Sequence, residues 1–409
     1  MTLIDEFKWR GLLNQCTDEV ALAKHLADNQ VTLYCGFDPT SDSLHVGNLI
    51  PMICLMRFKQ HGHNPLALVG GATGLIGDPS GKNQERDMLL EDIVHRNSGF
   101  IENQIRWVTG VETVNNIDWT QNMSVIEFMR VVGKNFTVNS MLARDSVTSR
   151  LGGDGLSFTE FSYMLFQGND FLQLAKQKGC TLQIGGSDQF GNICSGLDLL
   201  RKNDLQGFGM TFPLMVKSDG TKFGKSEKGT VWLSVEKTSP WEFFQFWLNV
   251  SDDDVVKLLK FFTFLDQDTI NDLEEKTKSS PGLRLAQKAL AVEVTTLIHG
   301  ASVCESIKQV AELLFSGREF DLSDDGIELL KSIIPVSTKD VAVVHDIKSV
   351  LVETQLVGSI TKATQAIKEN AVLLFERNKP PVKVTETLEI NAMKPLLVRK
   401  GKKSFALVV

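Results

Sequence analysis

The sequence predicts an α/β fold in which a doubly wound, mostly parallel sheet is followed by an α-helical domain and a small α+β domain. Strand-like apolar runs alternate with helical patterns over about the first 215 residues, which is typical of a parallel sheet covered by helices. Beyond Pro240 the patterns become helical, and the C-terminal LLVRKGKKSFALVV is typical of a β-hairpin. We therefore expect domains at residues 1–217, 218–334 and 335–409.

Length and composition bound the class of protein. A chain of 409 residues is too long for one ordinary core, and its 42% hydrophobic and 23% charged residues are typical of a globular protein. No apolar run approaches the roughly 20 residues of a membrane-spanning helix, and the N-terminal MTLIDEFKWRG lacks the apolar core of a signal peptide. We expect a cytoplasmic protein with no membrane partner.

The six cysteines form no CxxC pair and have no histidine cluster near them. This usage is typical of reduced cytosolic thiols rather than of a disulfide framework or a zinc site. We therefore predict no structural metal.

Charge is distributed unevenly along the chain. Residues 362–409 contain ten Lys or Arg and four Glu, a net charge of +6, which leaves −13 on residues 1–361. A basic terminal module on an acidic body fits an RNA-binding appendage, although a solvated surface has the same pattern.

The first candidate functional stretch, residues 33–86, contains two strand-to-loop turns about one helix apart. The apolar run 31–37 predicts a buried strand, 45–61 a helix, and 65–71 a second strand followed by a glycine-rich loop. Candidate N-caps of the helix are Ser41, Asp42 and Ser43. Backbone N–H groups of such loops and helix starts bind phosphate, so the stretch predicts half of a nucleotide-binding sheet.

The glycine spacing argues against two common nucleotide-binding motifs. GDPSGK at 77–82 has three residues between its glycines, where a P-loop has four, and Asn83 follows the lysine. The dinucleotide pattern G-x-G-x-x-G is absent from 70–81. A P-loop ATPase and a nicotinamide enzyme are both disfavoured.

Two later helices have clear boundaries. Ser124, with Glu127 three residues on, predicts a capping box and a helix that reaches Val132. A longer helix over 158–178 ends at Gly179.

That longer helix carries polar groups on one stripe. Tyr163, Gln167 and Asp170 are spaced i, i+4 and i+7 and therefore share a face. A solvent-exposed face is the simpler interpretation. However, the chain has two tyrosines against 24 phenylalanines, and the other tyrosine, Tyr34, lies at the end of the first strand beside the candidate phosphate-binding turn.

HVGN at 45–48 places His45 and Gly47 where a helix begins. A single histidine at a helix start is more often a cap or a surface residue than a ligand. Its partner is TKFGKS at 221–226, a polar loop with two lysines three residues apart, and lysine is a point-charge donor for phosphate. Together the two segments favour a phosphate site.

With these motifs in place, the chain resembles the bacterial-type tyrosyl-tRNA synthetases, a family of class I aminoacyl-tRNA synthetases. HVGN stands where the family has HIGH, and KFGKS stands where it has KMSKS. The blocks YCGFDPT, VGGATGLIGDPSGK, FTEFSYMLFQGNDF and LQIGGSDQFGN match in the family order, over residues 1–330. The resemblance implies a Rossmann-like catalytic domain, an α-helical anticodon-side domain and an S4-like RNA-binding domain.

The resemblance also implies roles for individual residues. Tyr34 and Asp170 would bind the phenolic hydroxyl of substrate tyrosine, and its ammonium and carboxylate would be bound by Asp78, Tyr163, Gln167 and Gln189. The nucleotide would contact Cys35, Gly36, Asp38, Gly47, Asn48, Asp188, Leu214 and Ser226. The phosphates would be held by Thr40, His45, Lys82, Arg86, Lys222 and Lys225.

The implied reaction is activation of L-tyrosine by ATP, with Mg²⁺ carried on the ATP, followed by transfer to tRNA(Tyr) by a homodimer. The tyrosine carboxylate is already a nucleophile, so no general base is needed, and none of the Ser/His/Asp type is found. Catalysis then consists of holding two reactants in line and stabilising charge on the departing pyrophosphate.

Some positions depart from the family pattern. Asn48 replaces the second histidine of HIGH, Phe190 replaces a tryptophan, and Asn169 replaces a tyrosine beside Asp170. The C-terminal segment lacks the usual arginine-rich helix. Three alternatives remain: a tryptophanyl-tRNA synthetase, an RNA-binding or splicing cofactor on the same fold, and a small-molecule adenylating enzyme without tRNA.

We predict that Lys225→Ala strongly lowers the rate of tyrosyl-adenylate formation while tyrosine affinity changes little. A cation that contacts the departing pyrophosphate stabilises the transition state more than the bound amino acid. The measurements are the single-turnover rate of adenylate formation and the Kd for tyrosine. A large loss of tyrosine affinity would show instead that the loop is structural.

Overall fold

The computed structural model describes residues 1–81, 88–144, 147–148, 150, 155–216, 218, 223–226, 229–315, 324–334, 336–337, 345–376, 381–385, 389–390, 395–401 and 404–408. The chain forms two compact units. The first comprises Met1–Thr230 and Asp253–Asp272, and the second comprises Val231–Asp252 and Leu273–Val409. The expected division at residues 217 and 334 stays a prediction.

The first unit is built on a six-stranded sheet. Its strands are β1 Gln15–Cys16, β2 Thr32–Phe37, β3 Asn64–Val69, β4 Glu112–Asn115, β5 Cys180–Gly186 and β6 Phe208–Phe212. The spatial order is β1-β6-β5-β2-β3-β4, and all neighbours are parallel except β1 and β6. The predicted doubly wound, mostly parallel sheet is confirmed.

The strand order places a crevice at one edge of this sheet. From β2 the chain proceeds outward through β3 to β4 and then returns to β5 on the other side of β2. The chain therefore continues in opposite directions from the neighbouring strands β2 and β5, and this position is called the switch point of the sheet. Ligands of such sheets bind there, at the carboxyl ends of the strands. Tyr34 pairs in register with Leu66 on one side and Gln183 on the other, at this centre.

Ten helices described before residue 231 pack around the sheet or extend from it. They are α1 Leu3–Arg10, α2 Glu19–Asp28, α3 Leu49–Gln60, α4 Thr73–Ile76, α5 Glu91–Thr109, α6 Ile117–Thr120, α7 Val125–Val131, α8 Val138–Leu142, α9 Phe158–Lys178 and α10 Phe190–Arg201. Helix α9 is largely buried, since both Phe171 and Leu172 are within the core. It brings its polar stripe to the sheet.

Two of the predicted helix boundaries are confirmed. The Ser124 side chain accepts from the Glu127 N–H at 3.2 Å, and α7 begins at the next residue. Helix α9 ends before Gly179, whose φ of +63° is the left-handed conformation that glycine adopts without a steric cost.

The predicted N-caps of α3 are wrong. A 3₁₀ turn, Val46–Asn48, precedes α3, and the N-cap position of α3 itself is Asn48. The turn is capped by His45, whose Nδ1 accepts from the Gly47 N–H at 3.0 Å. Asn48 completes the box by accepting from the His45 N–H at 3.0 Å. Ser43, one of the three predicted caps, instead donates to the Leu44 carbonyl, because the chain remains irregular until residue 45.

The remaining elements begin within the KFGKS segment, residues 222–226. Strands β7 Lys225–Ser226 and β8 Gly229–Thr230 pair with each other. The helices after them are α11 Pro240–Leu248, α12 Asp252–Phe262, α13 Gln267–Ser279, α14 Leu285–His299, α15 Ala301–Phe315 and α16 Asp324–Ile333. The predicted helical region is therefore confirmed.

The C-terminal segment is α+β. It contains β9 Val336–Ser337, β10 His345–Asp346, α17 Ile347–Glu353, α18 Ile360–Lys368, β11 Val372–Glu376, β12 Val382–Lys383, β13 Glu389–Ile390, β14 Leu396–Lys400 and β15 Ser404–Val408. Antiparallel pairing of β14 with β15 confirms the predicted hairpin, and α17 and α18 share a buried core with this sheet. Within the described residues, no helix is long and apolar enough to cross a membrane.

Candidate active site

A cavity of about 290 Å³ opens at the carboxyl ends of β2, β3 and β5. Most of the predicted site residues line it: Tyr34, Cys35, Gly36, Asp38, Thr40, Gly47, Asn48, Asp78, Tyr163, Gln167, Asp170, Asp188, Gln189 and Leu214. The sheet switch point thus brings together side chains that are up to 180 positions apart in sequence.

One end of the cavity holds a tyrosine and a carboxylate that are both buried. The Tyr34 side chain is fully buried, and its hydroxyl has no hydrogen-bond partner among the residues that the structure describes. Asp170 is 2% exposed and accepts from Trp119 Nε1 at 2.9 Å and from Asn116 Nδ2 at 3.0 Å. An unpartnered buried hydroxyl is costly, so this end of the cavity suits a ligand that bears a hydroxyl group.

Burial also sets the protonation of Asp170. Desolvation raises the pKa of its carboxyl to about 7, although hydrogen bonds from Asn116 and Trp119 favour the ionised form. The nearby charge of Asp38 raises the pKa further. Near neutral pH the group is therefore poised between accepting and donating a hydrogen bond.

A chain of hydrogen bonds connects Asp170 to the opposite side of the cavity. Asn116 Nδ2 also donates to Thr73 Oγ1 at 3.0 Å, and Thr73 Oγ1 donates to Asp38 Oδ1 at 2.7 Å. The second oxygen of Asp38 accepts from the Tyr163 hydroxyl at 2.9 Å. Burial, together with the charge of Asp38, raises the pKa of Tyr163 well above its usual value, so this phenol stays a donor.

The close approach of Asp38 and Thr73 depends on Gly70. A Cβ at residue 70 would lie 2.0 Å from Asp38 Oδ1 and 2.4 Å from Thr73 Oγ1. No other residue type fits this turn without breaking the hydrogen bond between the two side chains.

A second group of polar side chains surrounds Asp78. Its Oδ2 accepts from Gln189 Nε2 at 2.7 Å, and Gln189 Oε1 accepts from Gln167 Nε2 at 3.2 Å. Asn192 Nδ2 lies 3.4 Å from Asp78 Oδ1. Within the described part of the chain, the buried Gln167 Oε1 has no partner. Carboxylate and amide oxygens around one space form a site that suits an ammonium group.

Gly47 and Asn48, in the 3₁₀ turn before α3, line another part of the cavity, whereas the predicted phosphate ligand His45, next to this turn, is not among the lining residues. His45 is the cap described above, and burial lowers the pKa of its imidazole, so the ring is neutral near pH 7. Gly224 of the KFGKS segment packs against Val46 in this turn, since a Cβ at residue 224 would be 3.1 Å from Val46 Cγ2. The φ of Gly224 is +91°, which side chains rarely adopt. The two signature segments therefore meet at a glycine.

Several predicted phosphate ligands are not described by the structure. Lys82, Arg86 and Lys222 lie outside the described residues, and for Lys225 and Ser226 the structure gives the backbone strand only. Their roles stay predictions.

Sequence reasoning missed four residues of the polar network. These are Thr73, Asn116, Trp119 and Asn192. A signal for Asn116 was present, because it follows strand β4 directly, and polar residues after parallel strands collect at the same edge of a sheet. Trp119 and Asn192 had no comparable signal.

The chain is similar to known proteins over most of its length. A family model described as class I tRNA synthetases (W and Y) matches residues 26–316. The tyrosine–tRNA ligase of Bacillus velezensis is 47% identical over 417 residues, with 99% of each chain covered. That of Bacillus caldotenax is 46% identical, covering 100% of this chain and 99% of that protein. A C-terminally truncated mitochondrial tyrosyl-tRNA synthetase structure from Aspergillus nidulans has a TM-score of 0.70 at 30% identity, covering 77% of this chain and 94% of that one.

We predict that wild-type protein loses stability relative to Asp170→Asn as pH rises from about 4 to about 7. The folded-state pKa of Asp170, about 7, lies above the ordinary value of 3.8, so in this interval the folded chain holds a proton that the unfolded chain has released. The stabilisation is complete below the unfolded pKa and is lost as pH rises through the folded one.

The measurement is the free energy of unfolding in urea for both proteins across this interval. Other carboxylates contribute equally to both proteins and cancel in the difference. A difference that does not vary with pH would show that Asp170 is ionised throughout.

Proposed function

The chain belongs to the class I tRNA synthetases of the tryptophan and tyrosine group, and from this premise we propose that its cavity binds tyrosine and ATP together. It is an ATP-dependent ligase that joins tyrosine to tRNA, as its full-length likeness to tyrosine–tRNA ligases establishes. A tryptophanyl-tRNA synthetase is not favoured. The proposal concerns how the residues of the cavity carry out this activity.

The pairing of Tyr34 with Asp170 carries the proposal. A phenolic hydroxyl can donate to the Asp170 carboxylate and accept from the unpartnered Tyr34 hydroxyl at the same time. The indole N–H of tryptophan can donate but cannot accept, so it leaves the Tyr34 hydroxyl without a partner. Phenylalanine leaves both groups unsatisfied.

The amino-acid ends of the substrate fit the Asp78 group. We assign the ammonium to Asp78, Tyr163 and Gln167, and the carboxylate to Gln189. The buried, unpartnered Gln167 Oε1 supports this assignment, because an ammonium supplies the donor that it lacks. Both oxygens of Asp38 hold neighbouring side chains, so Asp38 orients Tyr163 as well as facing the nucleotide.

We propose that the nucleotide binds between the turn before α3 and the ends of strands β2 and β5. We assign the adenosine to the residues Cys35, Gly36, Asp38, Gly47, Asn48, Asp188, Leu214 and Ser226. Most of these line the same cavity as the tyrosine residues, which supports adjacent binding of the two reactants. The phosphates are assigned to Thr40, His45, Lys82, Arg86, Lys222 and Lys225.

In the first step, the tyrosine carboxylate oxygen attacks the α-phosphorus of ATP, and the bond from that phosphorus to pyrophosphate breaks. No proton has to be removed from the nucleophile. The cationic residues stabilise the charge that grows on pyrophosphate. In the second step, the 3′-terminal ribose hydroxyl of tRNA(Tyr) attacks the adenylate carbonyl and releases AMP.

Mg²⁺ enters the proposal only as a companion of ATP. The described residues contain no group of three His, Cys, Asp or Glu side chains arranged to hold a metal. Phosphate oxygens and water are the ligands that Mg²⁺ prefers in such sites, and the ion supplies further charge neutralisation there.

The C-terminal segment is proposed to bind tRNA as an S4-like domain. The net charge of +6 on residues 362–409 and the helices packed on an antiparallel sheet support this role. A small-molecule adenylating enzyme has no use for such a segment, and a cofactor that had lost catalysis has no use for a cavity with intact tyrosine-binding groups. We propose a cytoplasmic site of action.

We also propose that the chain forms a homodimer through α7, α8 and the start of α9. This region exposes large apolar side chains: Ile126 is 71% exposed, Met129 46%, Val138 61% and Phe158 69%. A second copy would remove these four apolar side chains from water, which favours association of two chains through this face.

The test of function is amino-acid-dependent pyrophosphate exchange with tyrosine, tryptophan and phenylalanine. We expect exchange with tyrosine and a strong preference for it over phenylalanine. Asp170→Asn should reduce that preference by about tenfold or more, because a neutral amide oxygen is a weaker acceptor for the phenol than a carboxylate. Exchange with tryptophan alone would contradict the assignment of tyrosine as the substrate. An unchanged preference for tyrosine over phenylalanine in Asp170→Asn would contradict the proposed role of Asp170.

The test of the dimer is sedimentation equilibrium. We expect the double variant Ile126→Asp, Met129→Asp to be monomeric where the wild type is dimeric, because two carboxylates per subunit would be buried unpaired. The control is Val20→Asp, which also places a carboxylate at an exposed valine, on α2. Identical masses for the wild type and the double variant would contradict this interface.

A further inference from the structure

A group of buried charges lies outside the cavity, between α1 and α3. Glu6 Oε1 accepts from Arg10 Nε at 2.7 Å and from Arg57 at 2.6 Å, and Glu6 Oε2 lies 3.0 Å from His61 Nε2. The Arg10 and Arg57 side chains are 4% and 1% exposed. We call Glu6, Arg10 and Arg57 the arginine anchor.

The arginine anchor holds the end of helix α12. Arg10 donates to the carbonyls of Lys260, Thr263 and Leu265 at 3.1, 3.3 and 2.9 Å. Arg57 donates to the Thr263 carbonyl at 2.5 Å. Carbonyls at the end of a helix lack helical partners and carry the negative end of its dipole, so two guanidinium groups complement both properties.

Helix α12 in turn contacts the segment that contains the KFGKS signature. The Phe262 ring, at its C-terminal end, stacks on Phe223 with centroids 5.6 Å apart and planes at 21°. Near its N-terminal end, the Asp254 carboxylate accepts from the Ser218 N–H at 3.0 Å and from the Ser218 hydroxyl at 3.2 Å. The helix therefore contacts residues on both sides of the 219–222 stretch.

The next residue along that segment reaches the cavity. Gly224 follows Phe223 and packs on Val46, beside the cavity residue Gly47. Contacts therefore run without interruption from the arginine anchor through α12 and Phe223 to the start of α3. All of these residues belong to the first compact unit.

Stability alone is a weak explanation for the arginine anchor. Buried ion pairs are often no better for stability than apolar residues of the same volume, because desolvation offsets the attraction. Burial itself lowers the pKa of Arg57 to about 10, despite the nearby Glu6 carboxylate. A guanidinium group has several N–H donors in a fixed geometry, so it can hold specific carbonyl groups in place, which an apolar side chain cannot do.

We propose that Arg10, Arg57 and Phe262 are positioning residues for tyrosine activation. They fix helix α12 so that Phe223 and Gly224 present the KFGKS segment to the ATP side of the cavity. This inference rests on the proposed role of Lys222 and Lys225 at the phosphates, and it assigns a part of the chain remote from both substrates to the same step.

The experiment compares Phe262→Leu and Arg57→Met with wild type in single-turnover tyrosyl-adenylate formation. We expect the rate constant at saturating substrates to fall by about tenfold, while the Kd for tyrosine stays within about twofold. A double-mutant cycle with Phe223→Leu adds a second readout. Phe262→Leu should have little further effect in that background, because the ring contact is already absent.

The matched control is Phe58→Leu, which removes a fully buried ring of α3 that contacts Phe7 and His63. This variant loses core packing next to the arginine anchor but keeps its guanidinium contacts. We expect a lower midpoint of urea unfolding with an adenylation rate close to that of wild type.

Two results would overturn the proposal. One is a normal adenylation rate in folded Phe262→Leu, and the other is an equal fall in rate in Phe58→Leu at matched loss of stability. Lys225→Ala in the same assay separates this inference from the proposed role of Lys222 and Lys225 at the phosphates, on which it rests. If Lys225→Ala also reacts normally, the proposed role of the KFGKS lysines is refuted first. A slow Lys225→Ala with a normal Phe262→Leu refutes only the positioning role of helix α12.

Discussion

The burial of one carboxylate is the constraint on which the rest of the cavity depends. Asp170 lies on the central buried helix α9, where an ionised group needs partners to remain charged. Asn116 and Trp119 supply two hydrogen bonds, and they come from the end of β4 and the short helix after it. The positions of three separate elements are therefore fixed by the needs of one side chain.

Hydrogen bonds connect Asp170 to polar side chains across the rest of the site. Asn116 is shared between Asp170 and Thr73, and Thr73 shares Asp38 with Tyr163. Side chains that contact different parts of the proposed substrate are thus members of one hydrogen-bonded network. A fully satisfied buried network of this kind has few alternative arrangements, so the cavity keeps its shape before any ligand arrives.

Sequence patterns were sufficient for the parallel sheet and for the boundaries of α7 and α9, whereas most residues of the cavity were expected only from the family resemblance. Alternation and caps are local properties, and Tyr163, Gln167 and Asp170 are spaced by the geometry of one helix. The network partners were harder to find, because Trp119 meets Asp170 only through the tertiary fold. The cap of α3 was assigned wrongly for a similar reason: serine and aspartate are commoner caps than histidine, but the chain turns into a helix only at His45.

The capping bond of His45 has a chemical consequence. A neutral imidazole carries one proton, and Nδ1 is occupied as the acceptor of the Gly47 N–H. The proton must then be on Nε2, so the bond that starts the helix also selects the tautomer. A histidine at a helix start and a histidine that donates to phosphate are therefore compatible descriptions of one ring, because one nitrogen accepts from the backbone and the other carries the proton.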